Sequence, residues 1–103
     1  MDDVPVSGSA AVFDVAVERT AGRAVIVVYG DLDVARRPQF LEACRSEGAD
    51  DVVVDLGGLV FMDCRGYSGI VEARLEFSGA AIRNAVGQPA RLIEMIRMMD
   101  LAG

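Results

Sequence analysis

Alternating apolar and polar positions predict two strands near the start of the chain. Phe13, Val15 and Val17 alternate with polar or small residues, which is the period of a strand with one buried face. A continuous apolar run over 24–29 follows a turn at 20–23 and predicts a second, more fully buried strand. Because the turn is short, the two strands are expected to form an antiparallel hairpin.

Beyond residue 30, helix patterns alternate with strand patterns. The predicted elements are a helix over 35–47, a strand over 51–56, a helix from residue 63 to about 76, a short strand over 80–84 and a helix over 88–99. Gly48 is expected to end the first helix, and Pro89 falls in the first turn of the last one. Strands that alternate with helices after a hairpin predict an α/β fold with a mixed sheet.

The first and last predicted helices each have an apolar face. In the first helix, Phe40, Leu41 and Cys44 share one side. Its charged residues are expected mostly to face solvent: Arg36, Arg37, Glu42 and Arg45. The last helix is expected to bury four residues at helical spacing: Leu92, Met95, Ile96 and Met99. Met98 and Leu101 are then candidates for a partner or dimer surface.

Length and composition are those of one small domain. A chain of 103 residues, 52% of them hydrophobic, can bury a single core. Residues 1–10 are acidic and then rich in Ser and Gly, with no periodic pattern, so they are expected to form a flexible arm. Residues 11–103 are expected to form the domain.

Charge and residue usage exclude several functions. The net charge of −6, without a basic cluster, argues against binding to nucleic acid or to an anionic membrane. No apolar run reaches the roughly 20 residues that cross a bilayer, and the start of the chain is acidic, so a cytoplasmic location is expected. There is no His and no paired Cys spacing, so no metal, cofactor or catalytic machinery is expected.

Asp63 stands where a buried strand is predicted to meet a helix. Its carboxylate is suited to capping the first turn of that helix. Cys64 falls in the same turn, where the helix dipole and Arg65 favour a thiolate while Asp63 opposes it. A redox role for Cys64 and a role without redox chemistry both stay open. Cys44, on an apolar helix face, is either a small core residue or a second redox thiol.

Two motifs each follow a predicted strand. Gly-Asp-Leu-Asp occupies 30–33, and Phe-Met-Asp-Cys-Arg-Gly occupies 61–66. In this order and at this spacing they resemble the STAS domains of bacterial anti-sigma-factor antagonists, in which the motifs typically read Gly-Glu-Leu-Asp and Phe-Met-Asp-Ser-Ser-Gly. The segment 89–95 is similar to the last helix of that family, and the resemblance extends over most of the chain from about residue 11. It implies a STAS-like mixed four-stranded sheet with about three helices packed against it.

The resemblance also implies a function and a partner. Members of the family bind a kinase-like anti-sigma factor and thereby free a sigma factor. By resemblance, the partner-binding residues are Asp31, Asp33, Asp63, Cys64, Arg65, Gly66 and Tyr67. From the residue types alone, Asp31 and Asp33 fit helix capping and turn formation equally well.

The sequence departs from the family at the phosphorylated position. There a Ser or Thr after the aspartate accepts a phosphoryl group from the partner, which releases it, whereas this chain has Cys64 and Arg65. Ser68 carries a hydroxyl but falls inside the predicted helix. The second helix is also about one to two turns shorter than is usual in the family. The chain is therefore expected either to bind its partner without control by phosphorylation or to have drifted from the switch altogether.

Two other functions stay open from the sequence. One is a redox-responsive regulator, in which Cys64 or Cys44 replaces phosphorylation as the switch. The other is a small-ligand or nucleotide-binding module at the start of the second helix, although no Gly-rich phosphate loop is present. Self-association into a homodimer also stays open.

Overall fold

Seven elements are present in the computed structural model, which describes residues 12–20, 22–46, 51–77 and 80–102. They are β1 (Asp14–Thr20), β2 (Arg23–Leu32), α1 (Arg37–Ser46), β3 (Asp51–Met62), α2 (Cys64–Glu76), β4 (Ala81–Arg83) and α3 (Gly87–Ala102). The predicted arm over 1–10 and the predicted helix end at Gly48 lie outside the described residues. No helix within these ranges is long and apolar enough to cross a membrane.

The strands form one mixed sheet in the order β1-β2-β3-β4. β1 and β2 are antiparallel, which confirms the predicted hairpin, whereas β2–β3 and β3–β4 are parallel. Each parallel pair is joined through a helix, because a parallel connection must return to the starting end of the sheet. The predicted four-stranded mixed sheet with three helices is confirmed.

One face of the central strands supplies the core. Ala24 pairs with Val52 and Ile26 with Val54, and all four side chains are fully buried. Phe40, Leu41 and Cys44 of α1, and Ile70 and Ala73 of α2, belong to the same cluster. The apolar face predicted for α1 is therefore confirmed, and the helices cover the side of the sheet that the strand period predicted.

β3 is longer than predicted, and it leads into α2 without a loop. The prediction ended the strand at residue 56, before the Gly57-Gly58 pair. Instead, the register against β2 shifts twice, and the strand continues to Met62. Gly58 allows this path, because a side chain there would meet the Tyr29 ring at 2.3 Å. The glycines thus permit bulges rather than ending the strand.

The prediction for α3 was wrong at two positions. Met95 and Met99, expected in the core, are 55% and 66% exposed. The buried stripe of the helix runs instead through Pro89, Leu92 and Ile93. Among the described elements, α3 packs mainly against β3, and this contact takes up one stripe of the helix. Met98 is exposed, as expected.

Candidate functional site

The two sequence motifs meet at one edge of the sheet. Leu32 and Met62 end the parallel strands β2 and β3 and lie opposite each other. Asp33 and Asp63 follow them directly, so both carboxylates lie at the carboxyl ends of the central strands. The Asp63 amide donates to the Leu32 carbonyl at 3.4 Å, which connects the two junctions. The carboxyl ends of parallel strands are where binding sites of open α/β sheets form.

Asp63 caps α2, as predicted. Its Oδ1 accepts a hydrogen bond from the Gly66 amide at 2.7 Å, and its carbonyl accepts from the Tyr67 amide at 2.9 Å. The backbone of Asp63 is extended, as is usual for a residue that precedes the first helical turn. The cap fixes the direction in which Cys64 and Arg65 leave the strand, and both side chains are exposed.

Gly66 allows α2 to approach β2 closely. A Cβ at this position would lie 2.1 Å from the Leu32 carbonyl oxygen, far inside any real contact. Gly66 is buried, so its place among the expected partner-binding residues has a structural reason that does not require contact with a partner. The close approach holds the start of α2 against the end of β2.

Asp33 organises the turn before α1. Its Oδ1 accepts from the amides of Ala35 and Arg36, both at 3.1 Å, and its Oδ2 accepts from the Arg36 guanidinium, also at 3.1 Å. The Asp33 carbonyl accepts from the Arg37 amide at 3.0 Å. This is the capping and turn chemistry that the sequence left open for Asp33, and it delays the start of α1 from residue 35 to Arg37.

Asp31 lies on the sheet face opposite the helices. Its neighbour Leu32 is in the core, so alternation directs Asp31 the other way, where it is only 9% exposed. Its cross-strand partner is Phe61, which is 42% exposed. Sequence reasoning missed Phe61 as a surface residue, although alternation with the buried Met62 could have identified it. We call Asp31, Asp33, Phe61, Asp63, Cys64 and Arg65 the rim.

The two cysteines differ in environment. Both are free thiols, Cys44 buried and Cys64 exposed. Burial, with a smaller effect of the Glu76 carboxylate, raises the pKa of the Cys44 thiol to about 12, and Arg45 opposes this only in part. Cys44 is therefore protonated at neutral pH and shielded from oxidants, which leaves Cys64 as the accessible thiol.

Ion pairs connect the two helices that follow the motifs. Arg37 of α1 pairs with Glu72 of α2, and Arg45 pairs with both Glu72 at 3.3 Å and Glu76 at 3.0 Å. The hydrogen bonds from Arg45 lower the pKa of the Glu76 carboxyl. The sequence predicted that Arg37 and Arg45 mostly face solvent. Their ion pairs were not predicted, because the partners lie about 30 positions away along the chain and give no local signal. Each pair is only partly buried, so their main effect is on the orientation of the helices.

The remaining hydroxyls of this region lie within α2. Ser68 is exposed, and its Oγ donates to the Arg65 carbonyl at 2.6 Å. Tyr67 is half-buried and packs against the core. Neither side chain takes the place of the hydroxyl that Cys64 and Arg65 lack at the helix start.

A mixed four-stranded sheet of this order, with its motifs at the ends of the two central strands, defines a STAS-like α/β domain. The STAS domain of an antisigma-factor antagonist from Rhodobacter sphaeroides is 28% identical, with a TM-score of 0.56, over 69% of this chain and 83% of its own. An anti-sigma factor antagonist from Mycobacterium paratuberculosis is 18% identical, with a TM-score of 0.67, over 88% of this chain and 82% of its own.

The same fold also occurs within a longer protein. The structure of Mglu is 26% identical with a TM-score of 0.54, and it matches 81% of this chain but only 21% of its own. No family model matches the sequence, and no curated protein is similar to it. The chain has a STAS-like fold, and its solved structural neighbours include STAS-domain anti-sigma factor antagonists.

Proposed function

We propose that this chain is a protein-binding module that binds an anti-sigma factor through the rim, without control by phosphorylation. The proposal rests on the arrangement of the residues that form the rim. It places Cys64 and Arg65, both exposed, at the capped start of α2 beside Asp63 and Asp33. The likeness to the antagonist from Rhodobacter sphaeroides supports the choice of partner.

The composition of the rim favours a protein partner. Phe61 presents an exposed aromatic ring, and Val34, the residue after Asp33, is also exposed. Arg65 adds an exposed guanidinium. Aromatic and arginine side chains are enriched among the residues that dominate protein–protein binding energy. The rim therefore combines an apolar anchor with charges of both signs, which is suited to a selective interface.

The loss of phosphoryl control is proposed from chemistry. Neither Cys64 nor Arg65 has a hydroxyl, and the hydroxyl of Ser68 is bonded within the helix. Arg65 is positive, so it cannot imitate the charge of a phosphoserine. The rim would then stay in a state close to the unphosphorylated, partner-binding form.

Calorimetric titration with each kinase-type anti-sigma factor encoded alongside this protein would test the proposal. We expect binding that is unchanged by Mg-ATP. Phe61→Ala should weaken it by about fivefold or more, because truncation of an interface anchor costs more than about 1 kcal/mol. Leu75→Ala, which removes another exposed apolar side chain at the far end of α2, is the matched control. Release of the partner by ATP, or equal effects of the two variants, would contradict the proposal.

The exposure of Cys64 favours one second candidate, a redox-controlled form of the same binding. The switch would rest on Cys64 alone, because Cys44 is buried. Peroxide treatment before titration tests this candidate, with Cys64→Ser as the control. Weaker binding after oxidation in the native protein, but not in the variant, would support it, and equal binding in both would dismiss it.

A further inference from the structure

A concave surface lies away from the rim, between α2, the end of β4 and α3. Its volume is about 620 Å³, within the range of small-molecule sites. Three arginines line it, one from each element: Arg74, Arg83 and Arg97. Glu94 is the only acidic residue among the described residues of its lining. We call this surface the arginine groove.

The arginine groove is positive within an acidic protein. Arg74 and Arg97 are exposed, and neither makes an ion pair or a side-chain hydrogen bond in the described part of the chain. By contrast, the arginines of α1 are all paired with carboxylates. Counting Asp55, which pairs with Arg83, three guanidinium groups stand against two carboxylates, so the groove keeps an excess of one positive charge although the chain carries −6 overall. A concave surface concentrates such a field and attracts anions.

Arg83 is held in place by a buried carboxylate. Asp55 is 8% exposed and accepts hydrogen bonds from the Arg83 Nε at 3.0 Å, the Asn84 Nδ2 at 2.9 Å and the Gly57 amide at 2.8 Å. Only the Nε of Arg83 is used in this way, so its two terminal nitrogens make no hydrogen bond to a described residue. A guanidinium fixed by its Nε is preorganised, which lowers the entropic cost of holding a ligand.

Part of the lining of the arginine groove is apolar, although most of its exposed surface is polar. Ile82 and Ile93 are half-buried and pack against the core, and Tyr67 adds an aromatic ring. Guanidinium groups recognise phosphate through paired, charge-assisted hydrogen bonds. The unpaired guanidinium groups of Arg74 and Arg97, with the terminal nitrogens of Arg83, suit a phosphate group, and the apolar part of the lining suits a compact apolar body attached to it.

We propose that the arginine groove binds a small phosphate monoester whose organic part is compact and apolar. The site shares no residue with the rim, although Tyr67, which the resemblance placed among the partner-binding residues, lines it. The proposal does not depend on the proposed function. The site also differs from the sequence-based alternative of a phosphate at the start of α2, because its charges come from side chains of three different elements.

Calorimetry on the full chain can test this site with phenyl phosphate as the probe. We expect phenyl phosphate to bind more tightly than inorganic phosphate, and phenol not to bind. Arg74→Ala and Arg97→Ala should each weaken binding by about tenfold or more, the usual loss when a charged hydrogen bond is removed. Both side chains are exposed and unpaired, so neither change should alter thermal stability.

Two further variants separate a defined site from general charge attraction. Glu94→Gln removes the one carboxylate and should tighten binding severalfold. Arg91→Ala removes an exposed arginine of α3 that does not line this groove, and it should have no effect. Equal losses from Arg91→Ala and Arg97→Ala, or no change with Glu94→Gln, would overturn the proposal.

A lipid source of the same phosphate can be distinguished with vesicles. Phosphatidylcholine vesicles with and without phosphatidic acid present the monoester on a surface. Binding only with phosphatidic acid, lost in Arg74→Ala, would support the site and assign the phosphate to a headgroup. No binding of any phosphate probe would overturn the proposal. If Arg74→Ala then weakened anti-sigma factor binding, the groove would belong to the protein interface instead.

Discussion

Replacing Gly66 with alanine should destabilise the protein, although the same change normally favours a helix. In an exposed helix interior, Gly→Ala stabilises by about 1 kcal/mol. At Gly66 the new Cβ would lie 2.1 Å from the Leu32 carbonyl oxygen, a backbone atom that no rotamer change can move. Real Cβ atoms essentially never lie closer than 3.0 Å to such an atom. The start of α2 and the end of β2 would therefore have to separate by about 0.9 Å.

The magnitude follows from what that separation disrupts. Overpacking in a core typically costs about 1–3 kcal/mol. The hydrogen bond from the Asp63 amide to the Leu32 carbonyl is already 3.4 Å long, and its loss adds about 1 kcal/mol. Subtracting the gain in helix propensity leaves a net destabilisation of about 1–3 kcal/mol. For a domain of this size, the melting temperature should fall by about 5–20 °C.

Gly69 provides a matched control three residues further along α2. It is also buried, but a Cβ there would meet the Arg37 Cγ at 3.0 Å, in a flexible side chain that can yield. Gly69→Ala should therefore stay within about 1 kcal/mol of the native protein. Urea unfolding followed by far-ultraviolet circular dichroism suits a chain without tryptophan. Equal stability of the two variants would refute the close-approach argument.

Two other predictions concern buried groups that titrate. Cys64 should react with a thiol reagent in the native protein and Cys44 only after unfolding; fast reaction of both would contradict the burial of Cys44. Because folding raises the pKa of Cys44 from 9.0 to about 12, its contribution to stability is complete below pH 9 and declines as the pH rises towards 12, and Cys44→Ala should flatten that decline. Burial alone would raise the pKa of Asp55, but the hydrogen bonds from Gly57, Arg83 and Asn84 outweigh it and lower the pKa below 3.8. Asp55 thus stabilises the fold above that pH, and its contribution is lost as the pH falls through its folded pKa. Asp55→Asn should lower the free energy of unfolding by about 1–3 kcal/mol at pH 7 and make the stability less sensitive to acid. Urea midpoints of the variant that match those of the native protein at every pH would disprove this.

The fold was largely predictable because its main signals are local. Alternation identified the β1–β2 hairpin, and the spacing of Phe40, Leu41 and Cys44 identified the buried side of α1. The end of β3 was missed for a physical reason. Gly57 is compatible with a turn and with a bulge, and the choice depends on β2 continuing alongside, which sequence patterns do not encode.

From the sequence, the candidate site was predictable only where it depends on contacts between residues that are close together along the chain. The cap at Asp63 was readable, because its donors lie within four positions along the chain. The pairing of Arg37 with Glu72 was not, since it joins two helices 35 positions apart. The arginine groove was missed for the same reason. Its positive side chains come from α2, β4 and α3, and no stretch of the sequence is basic.

Residues at the exposed positions of the rim can be replaced without altering its backbone shape. Backbone contacts among Leu32, Met62, Asp63 and Gly66 fix where β2, β3 and α2 meet, and the ion pairs between α1 and α2 fix the two helices that follow. None of these contacts uses the side chain at position 64, so a change of residue there would leave the surface in place. A surface held in this way is preorganised for binding. The proposed interface would therefore keep its shape whichever side chain stands at position 64.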